Sequence, residues 1–242
     1  MDNLIITSEN RNILTITMNR FDKKNALTSN MYRQLASALS HANTTKNIHC
    51  VVIQGDENCF CAGNDLQDFL QHPEDFAALD FIAALNALNK PLIAAVAGHA
   101  VGIGTTLLLH CDMVFAAHNS KFKLPFTQLG LCPEAGSSSL LPAKIGHVRA
   151  FELLVLGKTF NAEQAHNYGL INEVCEPQAL LSLAQEAAHT ISALPTDAVL
   201  TSKRLIKKEH SSLENAIIEE GDEFKRLMKS EDCKNILSQF FK

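Results

Sequence analysis

The chain has 242 residues, 46% hydrophobic and 19% charged, with no run of like charge and no Pro/Gly/Ser-rich linker; this excludes a disordered chain and leaves room for one sizeable core with a helical tail. A formal net charge of −5, without a stripe of Lys and Arg interleaved with aromatics, excludes nucleic acid as a partner, although Arg20, Lys23 and Lys24 form a local cationic group suited to a small anion. The seven cysteines are odd in number and form no CxxC pair; they point to a reducing compartment, and Cys59 and Cys61 with His49 and Cys50 match no zinc spacing, so no metal is expected.

In chain order, Leu4–Thr7 and Ile13–Met18 alternate as strands do and predict a β-hairpin around polar Ser8–Asn12. Thr28 or Ser29 caps a helix with Met31, Leu35, Leu39 and Ala42 on one face, leading into Ile48–Gln54, a strand buried on both sides. Gly55–Gly63 reads as a loop, followed by short helices between Leu66 and Leu88. Leu92–Ala97 is a strand, Gly98–Gly104 a loop, Thr105–His110 a helix and Met113–Ala117 a strand, so the class is α/β. Ser137–Ile145 and Val148–Leu156 read as helices broken near Pro142 and Gly146. Gly169 ends a helix from Ala162 and precedes a strand at Leu170–Val174. Beyond Pro177 the pattern is helical: Leu180–Ala193, Thr196–Lys208, Leu213–Lys229 and Glu231–Phe240. These helices must bury their apolar faces on the α/β part or on another subunit.

Leu92–Leu109 is as long and nearly as apolar as a membrane span, but Pro91, His99, three glycines and Asp112 favour a buried strand, turn and helix, so no membrane association is expected. The start has an acidic second residue and no basic n-region, and Phe240-Phe241-Lys242 is not the peroxisomal Ser-Lys-Leu address; a cytoplasmic location is expected.

Two glycine-containing turns follow predicted buried strands, Cys59-Phe60-Cys61-Ala62-Gly63-Asn64-Asp65-Leu66 and Gly98-His99-Ala100-Val101-Gly102-Ile103-Gly104. A strand that ends in glycine and opens a helix leaves backbone N–H groups aimed into a cleft, and two such turns could converge on one oxygen. Taken singly, each is explained as well by a tight turn that needs glycine. The G-x-G-x-x-G spacing of dinucleotide sites is not met.

A third segment, Pro125-Phe126-Thr127-Gln128-Leu129-Gly130-Leu131-Cys132-Pro133-Glu134-Ala135-Gly136-Ser137-Ser138, completes a pattern. With Arg20-Phe21-Asp22-Lys23-Lys24-Asn25-Ala26-Leu27, the three stretches resemble the crotonase superfamily over nearly the whole chain, and within it the Δ3,Δ2-enoyl-CoA isomerases of the peroxisomal type. The resemblance implies a crotonase-like spiral of ββα units (residues 1–190) with a C-terminal helical trimerisation region (191–242). It implies a homotrimer or dimer of trimers, acyl-CoA thioesters as substrate, and no cofactor beyond the coenzyme A of the substrate. Asn64 and Ile103 would donate the oxyanion amides. Ala26, Ala62, Gly63, Asp65, Leu66 and Gly102 would hold coenzyme A, with Lys23 or Lys24 near its phosphates. The tail residues Lys203 and Phe224 are candidates to reach a neighbouring subunit's site.

Hydratases of this family position water with two glutamates. The corresponding residues here are Thr106 and Phe126, whereas the single glutamate of the isomerases falls at Glu134. One carboxylate suffices to take a proton from C2 of a 3-enoyl-CoA and return one at C4, and burial beside an acyl chain would raise its pKa into a useful range. A first-turn helix glutamate behind Pro133 would look the same in isolation. A hydratase or other acyl-CoA transformation on this fold, and a non-catalytic acyl-CoA binding protein, remain alternatives. His99 and Asp112 are read as structural, and Ser137, Ser138 and Ser139 as helix-capping rather than nucleophilic.

Overall fold

The computed structural model describes residues 4–56, 58–72, 75–207 and 210–239, and only the backbone of 210–212. Strands β1 (Ile5–Asn10) and β2 (Ile13–Met18) pair antiparallel across Arg11 and Asn12, whose φ angles are both positive, 48° and 65°. A two-residue turn of that kind matches the twist of its strands, which is why β1 continues past the expected end at Thr7.

From β2 onward the large sheet is parallel. It adds β3 (Cys50–Gln54), β4 (Leu92–Val96), β6 (Met113–Ala117) and β9 (Glu173–Cys175) in the order β1-β2-β3-β4-β6-β9. Alternation sends Leu14, Ile16, Val51, Ile53, Ala94 and Val96 to one face and Ile13, Cys50, Val52, Ile93, Ala95 and Phe115 to the other, and both sets are buried. Helix α1 (Ser29–Thr44), N-capped by the Thr28 hydroxyl, buries Met31, Leu35, Leu39 and Ala42 in the first layer. Helix α8 (Pro177–Ser192) covers the second face with Leu180, Ala184 and Ala188, one turn apart.

A second sheet, β5 (His99–Val101), β7 (Lys121–Lys123) and β8 (Phe160–Asn161), has no counterpart in the sequence reading. At two or three residues its strands carry no readable alternation. They reveal the repeat. Strand β4 leads into β5 and helix α4 (Ile103–Thr106); β6 leads into β7 and then α5 (Ser137–Ile145). Strand β3 leads into a single bridge residue, Cys61, which pairs with Ala100 of β5, and then into α2 (Leu66–Gln71) and α3 (Ala77–Ala87). These are successive coils of a spiral of ββα units.

Pro142 lies inside α5, and the break before α6 (His147–Val155) falls at Gly146, φ 79°. Helix α7 (Ala162–Asn167) is closed by a capping box between Asn161 and Gln164. The tail, α9 (Thr196–Ile206), α10 (His210–Met228) and α11 (Glu231–Ser238), turns back on its own chain: Cys233 and Leu237 are buried in the same cluster as Leu14 and Phe81. The predicted helix ends at Lys208 and Phe240 lie outside the described residues.

Lys203 of α9 corrects one expectation. Its ammonium donates to the Lys90 carbonyl (2.6 Å) and to Asp112 (2.7 Å), so it is used within its own subunit. Asp112 also accepts the Leu92 amide (2.7 Å), which makes it structural, with a lysine as its cation. Lys203→Met removes a buried ammonium and leaves the part-exposed Asp112 carboxylate and the Lys90 carbonyl without their donor at once, and should lower unfolding free energy in urea by roughly 1 kcal/mol. An unchanged urea midpoint would show that the pair contributes nothing.

Among the described residues no helix is long and apolar enough to cross a membrane, and no group of His, Cys, Asp and Glu could hold a metal ion.

Candidate active site

The two glycine turns are stitched together by the main chain. The Cys61 amide donates to the His99 carbonyl (2.9 Å) and the Val101 amide to the Cys61 carbonyl (3.0 Å). On its other side the first turn pairs with Leu27: the Leu27 amide donates to Gly63 (2.8 Å) and the Asp65 amide to Leu27 (2.9 Å). In such a bridge alternate residues point to opposite sides, so the Asn64 N–H faces away from Leu27. Ile103 is the first residue of α4, where an N–H has no intrahelical acceptor. Among the described residues neither amide donates to another group, and both residues line one cavity of 330 Å³.

Glycine is required where the turns touch. A Cβ on Gly104 would lie 2.7 Å from the Cys61 carbonyl oxygen, and one on Gly63 3.0 Å from that of Val101. Gly102 has φ 54°, and its own amide is taken by the Lys123 carbonyl (2.9 Å). The Asn64 side chain is held as well, since the buried Tyr32 hydroxyl of α1 donates to its Oδ1.

Glu134 lines the same cavity and is 8% exposed. Thr106, the last residue of α4, donates its hydroxyl to Oε1 of Glu134 (2.5 Å); Oε2 has no partner among the described residues. Burial pushes the Glu134 carboxyl up to about 8, with the Thr106 bond opposing the rise and nearby Glu220 adding to it. Ala135 and Gly136 follow with φ 58° and 70°, a turn that re-aims the chain into α5. The turn is gripped from two sides. His110, pushed down to about 4 by burial and so neutral, donates Nε2–H to the Ala135 carbonyl (2.7 Å), and Glu220 of α10 accepts the amides of Gly136 (2.5 Å) and Ser138 (2.8 Å).

Asn64, Phe69, Glu134 and Phe224 also border a second, 50 Å³ space reaching between α2, α3 and α10. Phe69 and Phe224 meet edge to face with ring centroids 6.1 Å apart, and so narrow the passage between the two spaces. Phe224 therefore lines the cavity of its own chain.

The residues expected around coenzyme A are distributed unevenly. Ala62, Gly63, Leu66 and Gly102 line the larger cavity. Lys23, Lys24 and half-buried Ala26 lie on the adjoining loop, with both lysines exposed. That loop is pinned by the Ala62 amide on the Lys24 carbonyl (2.9 Å) and by buried Asn25, which donates to Phe60 (2.9 Å). Asp65 caps α2 and pairs with Arg20 (2.7 Å); burial opposes its ionisation, but the Asp68 and Gln67 amides and the guanidinium outweigh it and hold the carboxyl below its usual range. Arg20 is thus committed to Asp65 and the Ala26 carbonyl. His99 is exposed on β5, outside the cavity. Sequence reasoning missed Tyr32, His110, Lys123 and Glu220, none of which sits in a glycine motif.

The arrangement is chemically specific: two inward amides for an oxygen that gains negative charge, and one desolvated acid able to move a proton beside it. The enoyl-CoA hydratase/isomerase family model matches residues 8–242. A 1,2-epoxyphenylacetyl-CoA isomerase of Escherichia coli is 32% identical, covering 99% of this chain and 96% of its own length. Enoyl-CoA delta isomerase 2 of Rattus norvegicus is 34% identical over 98% of this chain and 63% of its own. Among solved structures, that of Pseudomonas aeruginosa OdaA has a TM-score of 0.95 and 43% identity over 99% of both chains. Proteins of this kind act on acyl-CoA thioesters, and the fold is that of the crotonases. With a family match over nearly its full length and relatives aligned end to end, this chain belongs to the enoyl-CoA hydratase/isomerase family.

Proposed function

We propose that the chain is a Δ3,Δ2-enoyl-CoA isomerase that moves the double bond of a 3-enoyl-CoA to the 2-trans position in fatty acid β-oxidation. One observation carries the reading: among the described residues, Glu134 is the sole acid lining the cavity that also presents the amides of Asn64 and Ile103. Hydration by the family's route needs a carboxylate pair around water. Thr106 and Phe126 stand in those places, and the Thr106 hydroxyl is bonded to Glu134 instead. The enoyl-CoA delta isomerase 2 of Rattus norvegicus carries the name of this reaction, whereas relatives of similar identity carry hydratase names, so the reading rests on the site.

In this mechanism ionised Glu134 takes the C2 proton, the C2–H electron pair moves into the thioester, and the resulting enolate oxygen is held by the amides of Asn64 and Ile103. The C3=C4 electron pair then takes the proton of protonated Glu134 at C4, while the enolate oxygen pair re-forms the carbonyl and the C1=C2 pair shifts to make the C2=C3 double bond. A carboxyl raised to about 8 suits both halves, because a base near the working pH gives back what it takes. Coenzyme A would lie along Ala26, Ala62, Gly63, Asp65, Leu66 and Gly102, with Lys23 and Lys24 reaching its phosphates and Asp65 acting by fixing the loop. Exposed Val148, Phe151 and Ile206 support burial between copies in a homotrimer or dimer of trimers.

The test is incubation with 3-enoyl-CoA while following the ultraviolet absorbance of the conjugated product, beside crotonyl-CoA in water. Conversion of the first without hydration of the second is expected. Hydration alone, or binding without turnover of either, would replace this reading by the hydratase or the binding protein. The pH profile should follow the base. Since the active form is ionised, kcat/KM should rise with pH and level off above about 8; a flat profile between about pH 6 and 9 would remove Glu134 from the role.

A further inference from the structure

We propose that Glu220, delivered from the helical tail, is a positioning residue for the reaction: it clamps the Ala135–Gly136 turn and so aims the Glu134 carboxylate into the cavity. The proposal rests on Glu134 being the base. Three observations converge on it. First, Ala135 has φ 58°, a left-handed conformation that a residue with a Cβ resists and that persists only where its surroundings over-determine it. Second, Glu220 is 7% exposed, and its two oxygens each take one main-chain amide of the turn, Gly136 and Ser138. Third, α10 meets the turn with more than this one side chain. A Cβ at Gly136 would be 2.5 Å from Leu213 and 3.2 Å from Ile217, and one turn beyond Glu220 the same helix sets Phe224 in the cavity wall. The loop holding the acid and the wall facing it are thus joined through one helix.

The chemistry of the clamp argues against a merely structural cap. An uncharged serine or asparagine would satisfy an N–H there without putting a carboxylate beside another carboxylate. Burial raises the Glu220 pKa, while Ser138 and the Gly136 amide favour its charged form. Tyr32 from α1, Cys61 of the first turn and Cys132 also face Glu134, and burial pushes Cys61 to about 12, Cys132 to about 11 and Tyr32 well up, so all three are neutral at working pH; Lys123 of β7 lines the same cavity with the opposite sign of charge. His110 on the far side of the turn is neutral too. Glu220 is the acid whose negative charge, when present, keeps the proton affinity of Glu134 high.

Two variants separate aim from charge. Glu220→Gln keeps the length, removes the charge and turns an amide NH2 toward one of the two N–H donors. Glu220→Asp keeps the charge and shortens the reach. Both should lower kcat on 3-enoyl-CoA by at least about tenfold, since small misplacements of a reacting group are expensive, with KM changed less than about threefold. Glu220→Gln alone should also move the titration of Glu134 to lower pH. That titration is read without turnover from the infrared carboxyl band that Glu134→Gln deletes. A kcat within about twofold of the parent in both variants, or a loss carried by KM, overturns the proposal. If the parent chain fails to turn over 3-enoyl-CoA, the reaction assigned above is wrong, and the infrared arm decides the clamp: an unmoved band in Glu220→Gln overturns it. If Glu220→Gln does not fold, Glu220→Asp decides by the same kcat and KM criteria.

Discussion

Glu134→Gln is expected to lower kcat/KM on 3-enoyl-CoA by about 10³-fold or more while CoA affinity by calorimetry stays within about twofold. The size follows from one group serving both proton transfers, so the variant has neither base for C2 nor acid for C4. Glutamine is isosteric and can still accept the Thr106 hydroxyl, so the pocket should keep its shape. Stability gives an independent reading with a definite sign. The folded-state pKa, about 8, lies above the ordinary 4.5, so folded protein holds the proton more tightly than unfolded chain does. The parent should lose stability as pH rises from about 4.5 through about 8, whereas glutamine has no charge to desolvate. Urea unfolding should therefore show the variant gaining on the parent across that window and holding the gain above it. Unaltered turnover in the variant would end the assignment of Glu134.

The second large effect is expected from Gly104→Ala, with kcat reduced by about 10² to 10³-fold and a lower melting temperature. Local propensity argues the other way, since alanine in a helix is favoured over glycine by about 0.5–1 kcal/mol. Steric contact decides the sign: the new Cβ would stand 2.7 Å from the Cys61 carbonyl oxygen and 2.9 Å from the Cys61 Cβ. The backbone oxygen cannot step aside like the end of a long side chain, and it also holds the Val101 amide at 3.0 Å. Relief means parting the two turns, and with them the amides of Asn64 and Ile103. Stopped assays with circular dichroism melting would measure both consequences; parental turnover at a parental melting temperature would mean that the spacing of the turns is immaterial.

Much of this architecture is legible in the sequence because it is local. The α1 stripe of Met31, Leu35 and Leu39 and the doubly buried β3 and β4 declare themselves by periodicity, and the turns around Asn64 and Ile103 by glycine between strand and helix. Glu134 stands out only through the segment around it. What is not legible lies between elements. Strands β5, β7 and β8 are too short to alternate. Glu220 looks like one more acid on an amphipathic helix, and its partners lie 84 and 82 residues away. Lys203 likewise meets Asp112 across 91 residues, and His110 meets Ala135 across 25. In the sequence Thr106 reads only as the loss of an acid, whereas the fold gives it a hydroxyl bond to the acid that remains.

The spiral divides the labour of the site among its coils. The coil after β3 brings Asn64, the coil after β4 brings Ile103 and Thr106, and the coil after β6 brings Glu134. In the proposed mechanism the thioester grip is made wholly of main chain and does not depend on which side chains surround it, so a descendant could inherit the grip and exchange the acid in one coil without redesigning the others. Such a division of roles fits a family whose relatives at about a third identity carry the names of different reactions.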